Sequence, residues 1–240
     1  MSFQRQGFFN LPPVVKTLLI INIILFVVKM LMPEVGMKLA VYSFKSDFFE
    51  PYQLVTHMFM HGSFWHLLFN MFALYMFGKI LEEIWGPKRF LIFYFFTGLG
   101  AAAIHLLVVG IQINSMISQM FPDQVEMVLN DGANVLLQGK NFVDIDMRDL
   151  NILINTPTVG ASGAIFGLLT AFGMSFPNAQ LQLLFPPIPI KGKYIAVVAL
   201  VIGYVMDGSG NVAHFAHLGG IIFGFIFFLI WNKWKFNRWN

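Results

Sequence analysis

Apolar positions along the chain are gathered into six runs that polar or turn-forming segments separate. The runs cover residues 14–32, 65–85, 88–110, 159–176, 194–206 and 212–231. An α-helix needs about 20 mostly apolar residues to cross the hydrocarbon core of a bilayer, and the fifth run is short by that measure. The pattern predicts an all-α integral membrane protein, in which six transmembrane helices form a single membrane domain over residues 1–240.

The connection between the third and fourth runs, residues 111–157, is too polar to cross a membrane. It contains six acidic and two basic residues, together with some apolar periodicity around Val125, Val128 and Leu129. We expect a long extracytoplasmic loop insertion here, carrying a short amphipathic surface helix. Residues 34–63 are mixed in character and carry several aromatic side chains, so a segment lying at the membrane interface is predicted for them.

Composition supports the membrane assignment and narrows the chemistry. The chain is 57% hydrophobic and 11% charged, whereas soluble domains carry roughly 25% charged residues. The absence of cysteine excludes disulfides and thiolate metal sites. The net charge of +3 is small, so the basic isoelectric point is no argument for a nucleic-acid partner.

The distribution of basic residues predicts the orientation. With both termini on one side, that side holds ten lysines and arginines and the other holds five. Basic residues are enriched in cytoplasmic loops, so both termini are expected in the cytoplasm. The first run is expected to act as the insertion signal without a cleaved signal peptide. A compact six-helix chain suggests a bacterial plasma membrane, with the membrane of an organelle as the open alternative.

The candidate chemistry begins at Ser162, which lies between glycines at the start of the fourth run. A hydroxyl in a membrane span is costly unless it has a partner. The predicted topology brings His217, His66 and Asn70 to a similar depth, within roughly 5–12 Å of the outer surface at 1.5 Å per helical residue. A serine needs a base to become a good nucleophile, and histidine is the usual base near neutral pH.

Acyl transfer also needs donors for the oxyanion, which His66, Asn70 and the backbone N–H of Ser162 could supply. No acidic residue is expected at this depth, so a Ser–His dyad is predicted instead of a triad. Phe166 lies one helical turn below Ser162 and could pack against the imidazole of the base.

Glycine spacing selects the base from two candidates, His214 and His217. Gly220 and Gly224 follow His217 at positions plus three and plus seven, so they are four residues apart. The fourth run carries Gly163 and Gly167, which are also four residues apart. Such small-residue faces let helices approach closely, so the two helices are expected to pack together. His217 lies one turn above this face and is therefore predicted to be the residue closest to Ser162.

Less specific interpretations apply to the other histidines. His105 lies within the third run and is expected to be a packing residue. His57, His61 and His214 are expected at the interface or outside. His66 and His217 could together bind a metal, but two imidazoles without a carboxylate or thiolate make a poor site, so neither a metal nor a cofactor is predicted.

Three of these motifs, in this order, resemble those of the rhomboid intramembrane serine proteases. They are His66-Leu67-Leu68-Phe69-Asn70, Gly160-Ala161-Ser162-Gly163, and Ala216-His217-Leu218-Gly219-Gly220 with Gly224; the run Glu82-Glu83-Ile84-Trp85-Gly86 is also similar. The resemblance covers roughly residues 45–110 and 157–231. It implies a rhomboid-like bundle and cleavage of transmembrane protein substrates within the lipid bilayer.

The resemblance also implies roles for individual residues. It makes Ser162 the nucleophile and His217 the base, with oxyanion donors His66, Asn70 and the Ser162 amide. Phe166 takes the position of an aromatic ring that stacks on the base. The short fifth helix would form part of a substrate gate.

Two features depart from the family pattern, and a second class of function stays open. Residues 34–63 contain neither the tryptophan nor the arginine of a pair that many rhomboids carry there, and the third-to-fourth connection is long. The alternative function is a catalytically silent, rhomboid-like scaffold that binds transmembrane helices. A small transporter is less favoured, because the spans show neither an internal repeat nor an ionisable residue near mid-membrane.

Overall fold

The computed structural model describes residues 11–182, 188–207 and 213–236, and this part of the chain is mostly helical. The elements are α1 (Pro13–Leu31), α2 (Pro33–Leu39), α3 (Gln53–Thr56), α4 (Phe64–Trp85), α5 (Pro87–Ile117), α6 (Pro122–Leu137), α7 (Ile145–Asn155), α8 (Ser162–Ser175), β1 (Gln180–Gln182), β2 (Pro189–Lys191), α9 (Ile195–Asp207) and α10 (Ala213–Phe236). A 3₁₀ turn follows α3 at His57–Phe59, another precedes α9 at Gly192–Tyr194, and α4 contains a π-helical segment at Leu74–Gly78.

Apolar length divides the helices into two groups. Helices α1, α4 and α5 are long and apolar enough to cross a membrane, with 19, 22 and 31 residues. The apolar segments in α8, α9 and α10 are shorter and cover Ser162–Ser175, Gly192–Val205 and His214–Ile230. The chain is therefore a helical membrane protein with several apolar helices. The predicted turn at 207–211 and the predicted start of the sixth run fall largely outside the described residues.

Helix α8 is the centre of the bundle. Every residue from Gly163 to Gly173 is buried. It packs against α5 and α10 at positions where a side chain is missing: a methyl group built on Gly163 would contact Ala101 of α5, and one on Gly220 of α10 would contact the Gly163 carbonyl. One turn further along, a methyl group on Gly224 would lie 2.9 Å from the Cα of Gly167. The close approach that the glycine spacing predicts is present.

The N-terminus of α1 is held by a buried carboxylate. Glu82 of α4 is 2% exposed, and its two oxygens accept hydrogen bonds from the backbone N–H groups of Val14 and Val15 at 2.9 and 2.7 Å. The first amides of a helix have no acceptor in their own helix, and the positive end of the helix dipole favours an anion. Glu82 thus joins α1 to α4 at the end of the bundle opposite Ser162.

The long connection is more structured than the sequence predicts. Helix α5 continues to Ile117, seven residues past the predicted end of the third run, because Ile113 is fully buried against the segment that follows. Two helices, α6 and α7, occupy most of residues 111–157, where one short helix was expected. They enclose a second hydrophobic cluster with the outer end of α5; it consists of Val109, Ile113, Val128, Met147, Leu150 and Ile154.

The all-α prediction also needs one correction. Strands β1 and β2 form an antiparallel pair between α8 and α9, with Leu181 opposite Ile190. Pro189 begins β2, and proline is poorly suited to a helix interior. The pair of strands precedes the 3₁₀ turn that leads into α9.

Candidate active site

Ser162 is the first residue of α8, and the segment before it is fixed by backbone pairing. Val41 and Thr158 exchange two backbone hydrogen bonds of 3.0 and 2.8 Å, and the N–H of Gly160 donates to the carbonyl of His57 at 2.9 Å. Gly160 has φ +134°, which side-chain-bearing residues rarely adopt. This turn directs the chain from the extended segment into α8, and it leaves the Ser162 amide among the N–H groups that have no acceptor within the helix.

The imidazole of His217 lies directly beside the Ser162 hydroxyl. His217 Nε2 and Ser162 Oγ are 3.0 Å apart, within hydrogen-bond distance. If Nε2 is to accept the serine proton, the neutral ring must carry its hydrogen on Nδ1. Phe166 stacks on the imidazole with a centroid separation of 4.4 Å and an interplanar angle of 23°. The pair therefore has the geometry that proton transfer from serine to histidine requires.

His66 lies close to Ser162, and Asn70 lies one turn further along α4. A methyl group built on Gly160 would sit 2.8 and 2.9 Å from His66 Cε1 and Nε2, and 3.5 Å from Ser162 Oγ. The bare Gly160 backbone thus leaves room for the His66 ring beside the serine. Asn70 is buried, and its amide group donates one hydrogen bond to the His66 carbonyl at 2.8 Å. The amide has two N–H donors, so one such bond leaves its second donor for another acceptor.

Two histidines that were expected near the surface are buried. His57 is 6% exposed, and its Nδ1 lies 2.8 Å from the carbonyl of Gln53, while His61 is fully buried. Burial lowers the pKa of His57 to about 4 and that of His61 to about 3. Both rings are therefore neutral at physiological pH. Their burial depends on how the segment around α3 folds into the bundle beside Gly160, which the sequence pattern does not indicate.

His105 has a polar partner, where the sequence suggested only packing. Its Nε2 lies 2.8 Å from Thr158 Oγ1. A small cavity behind the serine is lined in part by His57, His105, Thr158 and Ser162. Most of its other lining residues are small or apolar, among them Ala101, Ala102 and Ala216, so these polar groups border a mainly apolar space.

His214 lies beside the dyad. Its ring is 6.2 Å from that of His217 and 5.0 Å from that of Tyr204 in α9, measured between centroids. His217 contacts Ser162, as the glycine spacing predicts, and His214 lies nearer to α9. Among the described residues, no group of three or more histidine, aspartate or glutamate side chains is arranged to hold a metal ion.

The sequence matches a known protein family over most of its length. Residues 49–233 match the family model described as the Rhomboid domain. The chain is similar to Rhomboid protein 1, mitochondrial, of Saccharomyces cerevisiae, with 27% identity over 177 residues, which are 72% of this chain and 40% of that protein. It is also similar to RHOMBOID-like protein 12, mitochondrial, of Arabidopsis thaliana, with 28% identity over 168 residues, 70% of this chain and 42% of that one.

A shorter match has a bacterial source. It is to the Putative rhomboid protease YdcA of Bacillus subtilis, with 38% identity over 50 residues, 21% of this chain and 25% of that protein. The chain thus spans about two fifths of the length of the yeast and plant relatives that it matches.

Proposed function

Since the chain belongs to the rhomboid family, we propose that it is an intramembrane serine endopeptidase that hydrolyses peptide bonds of transmembrane protein substrates. The observation that carries the proposal is the 3.0 Å separation of His217 Nε2 from Ser162 Oγ, with Phe166 stacked on the imidazole. A serine hydroxyl beside an imidazole whose plane is fixed by an aromatic ring is suited to nucleophilic attack. The catalytic residues proposed are Ser162 and His217.

The reaction proposed has two stages. Ser162 Oγ attacks the substrate carbonyl carbon while His217 Nε2 takes the serine proton, and the carbonyl oxygen becomes an oxyanion. His217 then gives this proton to the leaving amine as the C–N bond breaks, which leaves an acyl-enzyme. In the second stage, His217 takes a proton from water, the resulting hydroxide attacks the ester, and the proton returns to Ser162.

The oxyanion donors proposed are the side chains of His66 and Asn70 and the backbone N–H of Ser162. The position of His66 against Gly160, beside Ser162, supports this assignment. Asn70 would use its second N–H, because the first donates to the His66 carbonyl. Removing one such donor costs about 10²–10³ in rate, so that loss is expected for Asn70→Ala.

For the membrane, we propose a single domain with six spans and both termini on the cytoplasmic side. The six apolar helical segments and the ten-to-five distribution of basic residues support it. Residues 111–157 would then lie on the extracytoplasmic side. A bacterial plasma membrane stays a prediction, since the relatives named above include mitochondrial proteins as well as one from Bacillus subtilis.

Labelling with a fluorophosphonate tests the activity without a known substrate. The probe reacts covalently with an activated serine, so the purified protein in detergent should be labelled, and Ser162→Ala and His217→Ala should not. Circular dichroism and thermal unfolding of the same samples establish that all three are folded. A folded wild-type protein that resists labelling would favour the competing proposal, a rhomboid-like scaffold that binds transmembrane helices.

A further inference from the structure

Lys29, near the C-terminal end of α1, uses its charge to hold the backbone of another segment. The side chain is half-buried. Its Nζ donates to the carbonyl oxygens of His61 and Gly62, at 2.7 and 3.0 Å. Its aliphatic stem crosses Gly36 of α2, where a methyl group would lie 2.6 Å from Lys29 Cγ. The side chain therefore connects α1 and α2 to the turn Met60–Ser63 that precedes α4.

This turn contacts His66 in two ways. The Ser63 hydroxyl accepts a hydrogen bond from the His66 N–H at 3.1 Å. The His61 ring meets the His66 ring edge-on, with centroids 5.1 Å apart and an interplanar angle of 70°. A methyl group built on Gly62 would lie 3.9 Å from His66 Nδ1, so the turn passes close to the ring. A shift of the turn therefore moves the ring that faces Ser162.

We propose that Lys29 is a positioning residue for the oxyanion donor His66, acting through the turn Met60–Ser63. The proposal rests on the function proposed above. Two charge-assisted hydrogen bonds from one ammonium group hold consecutive carbonyls, and such bonds are stronger than those between neutral groups. The turn is thereby fixed relative to α1, whose other end is fixed by Glu82.

Other hydrogen bonds in the first connection hold neighbouring segments. Gln53 donates to the carbonyls of Lys38 and Phe48, and Thr56 donates to that of Leu39. These contacts fix α3 against α2. Within the described part of the chain, Lys29 is the side chain that donates to the carbonyls of His61 and Gly62.

The His61 ring links the turn to His66 by packing, and it carries no charge. It is fully buried, and burial lowers its pKa to about 3, with smaller contributions from His66 and Lys29. Histidine with so low a pKa is neutral at the pH of any assay. The contact between His61 and His66 is therefore one between an uncharged ring and a donor, and Lys29 provides the positive charge nearby.

Three lysine variants test the proposal. Lys29→Met keeps the stem over Gly36 and removes the donors, Lys29→Arg keeps a cation with donors, and Lys38→Met is the matched control because Lys38 is exposed on α2. The measurement is the second-order rate of fluorophosphonate labelling of Ser162, with thermal unfolding as the check of folding. We expect Lys29→Met to slow labelling about 10- to 100-fold, the scale of a misplacement remote from the chemistry. Lys29→Arg should recover most of the rate, and Lys38→Met should keep the wild-type rate.

A double-mutant comparison separates positioning from general destabilisation. If Lys29 acts through His66, then Lys29→Met should cause little further loss in a His66→Ala background, because coupled residues are not additive. An equal loss in both backgrounds, or a wild-type rate for Lys29→Met, would overturn the proposal.

If the proposed function is wrong, the wild-type protein itself will not be labelled by the fluorophosphonate. In that case, hydrogen exchange decides whether Lys29 fixes the turn. Faster exchange of the amides of residues 60–66 in Lys29→Met than in Lys38→Met would support that part of the proposal, and equal exchange would overturn it.

Discussion

The contact between Phe166 and His217 makes a quantitative prediction about rate. The aromatic ring covers one face of the imidazole at 4.4 Å, and Phe166 is 7% exposed. A flat ring stacked on the imidazole restricts the rotation of the imidazole about its bond to Cβ. Replacing Phe166 with leucine keeps an apolar side chain in the site and removes the flat surface. The imidazole should then spend less time with Nε2 directed at Ser162.

The size of the effect follows from the energy of ring stacking. Aromatic pairs contribute about 0.5–1.5 kcal/mol beyond the area that they bury. Each 1.36 kcal/mol corresponds to a tenfold change in rate, so Phe166→Leu should slow labelling of Ser162 by roughly 2- to 13-fold. Phe166→Tyr keeps the ring and should remain within about twofold of the wild type on the same scale.

The matched control is Phe172→Leu. Phe172 lies in the same helix, is 4% exposed, and packs edge-on against Phe77 at 4.8 Å, away from the dyad. The assay is the rate of fluorophosphonate labelling, normalised to the folded fraction from thermal unfolding. If both leucine variants lose the same fraction of the rate, or if Phe166→Leu loses none, the reasoning about ring orientation is wrong.

Further predictions concern stability. Glu82→Ala leaves two N–H groups of α1 without their acceptor, so the free energy of unfolding should fall by about 3 kcal/mol or more, seen as a lower unfolding midpoint. Glu83 is half-exposed, and Glu83→Ala should change the midpoint little. Gly224→Leu places a side chain against α8, so the variant should lose labelling of Ser162 or fail to fold. Gly110→Leu is the control, because no atom lies within 4 Å of a Cβ built on Gly110, and it should label and fold like the wild type. The folded pKa values of His57, about 4, and His61, about 3, both lie below the ordinary 6.5, so the unfolded chain binds these protons more tightly. Stability present above pH 6.5 should therefore fall toward pH 4, and His57→Gln should remove only the His57 share of that fall, about 3 kcal/mol. A midpoint of the wild type that does not change between pH 7 and 4 would contradict the last prediction.

Local spacing carried much of the information about the bundle. The interval of four between glycines in α8 and α10 predicts their close packing, because helix faces repeat at that interval. The resemblance to the rhomboid family is confirmed by the match over residues 49–233. The assignment of roles to Ser162, His217, His66 and Asn70 stays a proposal that the labelling experiments test.

What the sequence could not provide are partners that are distant along the chain. Glu82 and Val14, Lys29 and His61, and Thr158 and Val41 are each brought together by the fold. A carboxylate near the end of a membrane span is compatible with a solvated end as well as with a helix cap. The same ambiguity caused His57 and His61 to be assigned to the interface, since their burial depends on how the first connection folds back.

The contact between α8 and α10 limits which substitutions the two helices can accept. Ser162 adjoins Gly163, and His217 lies one turn from Gly220, whose missing side chain lets α10 rest on the Gly163 carbonyl. Glycine is the smallest residue, so no substitution there can bring the two helices closer together. Any substitution of Gly163 or Gly220 adds atoms to this contact, so α8 and α10 must shift to accommodate it. The 3.0 Å contact between Ser162 and His217 therefore depends on two positions that take no part in the proposed chemistry.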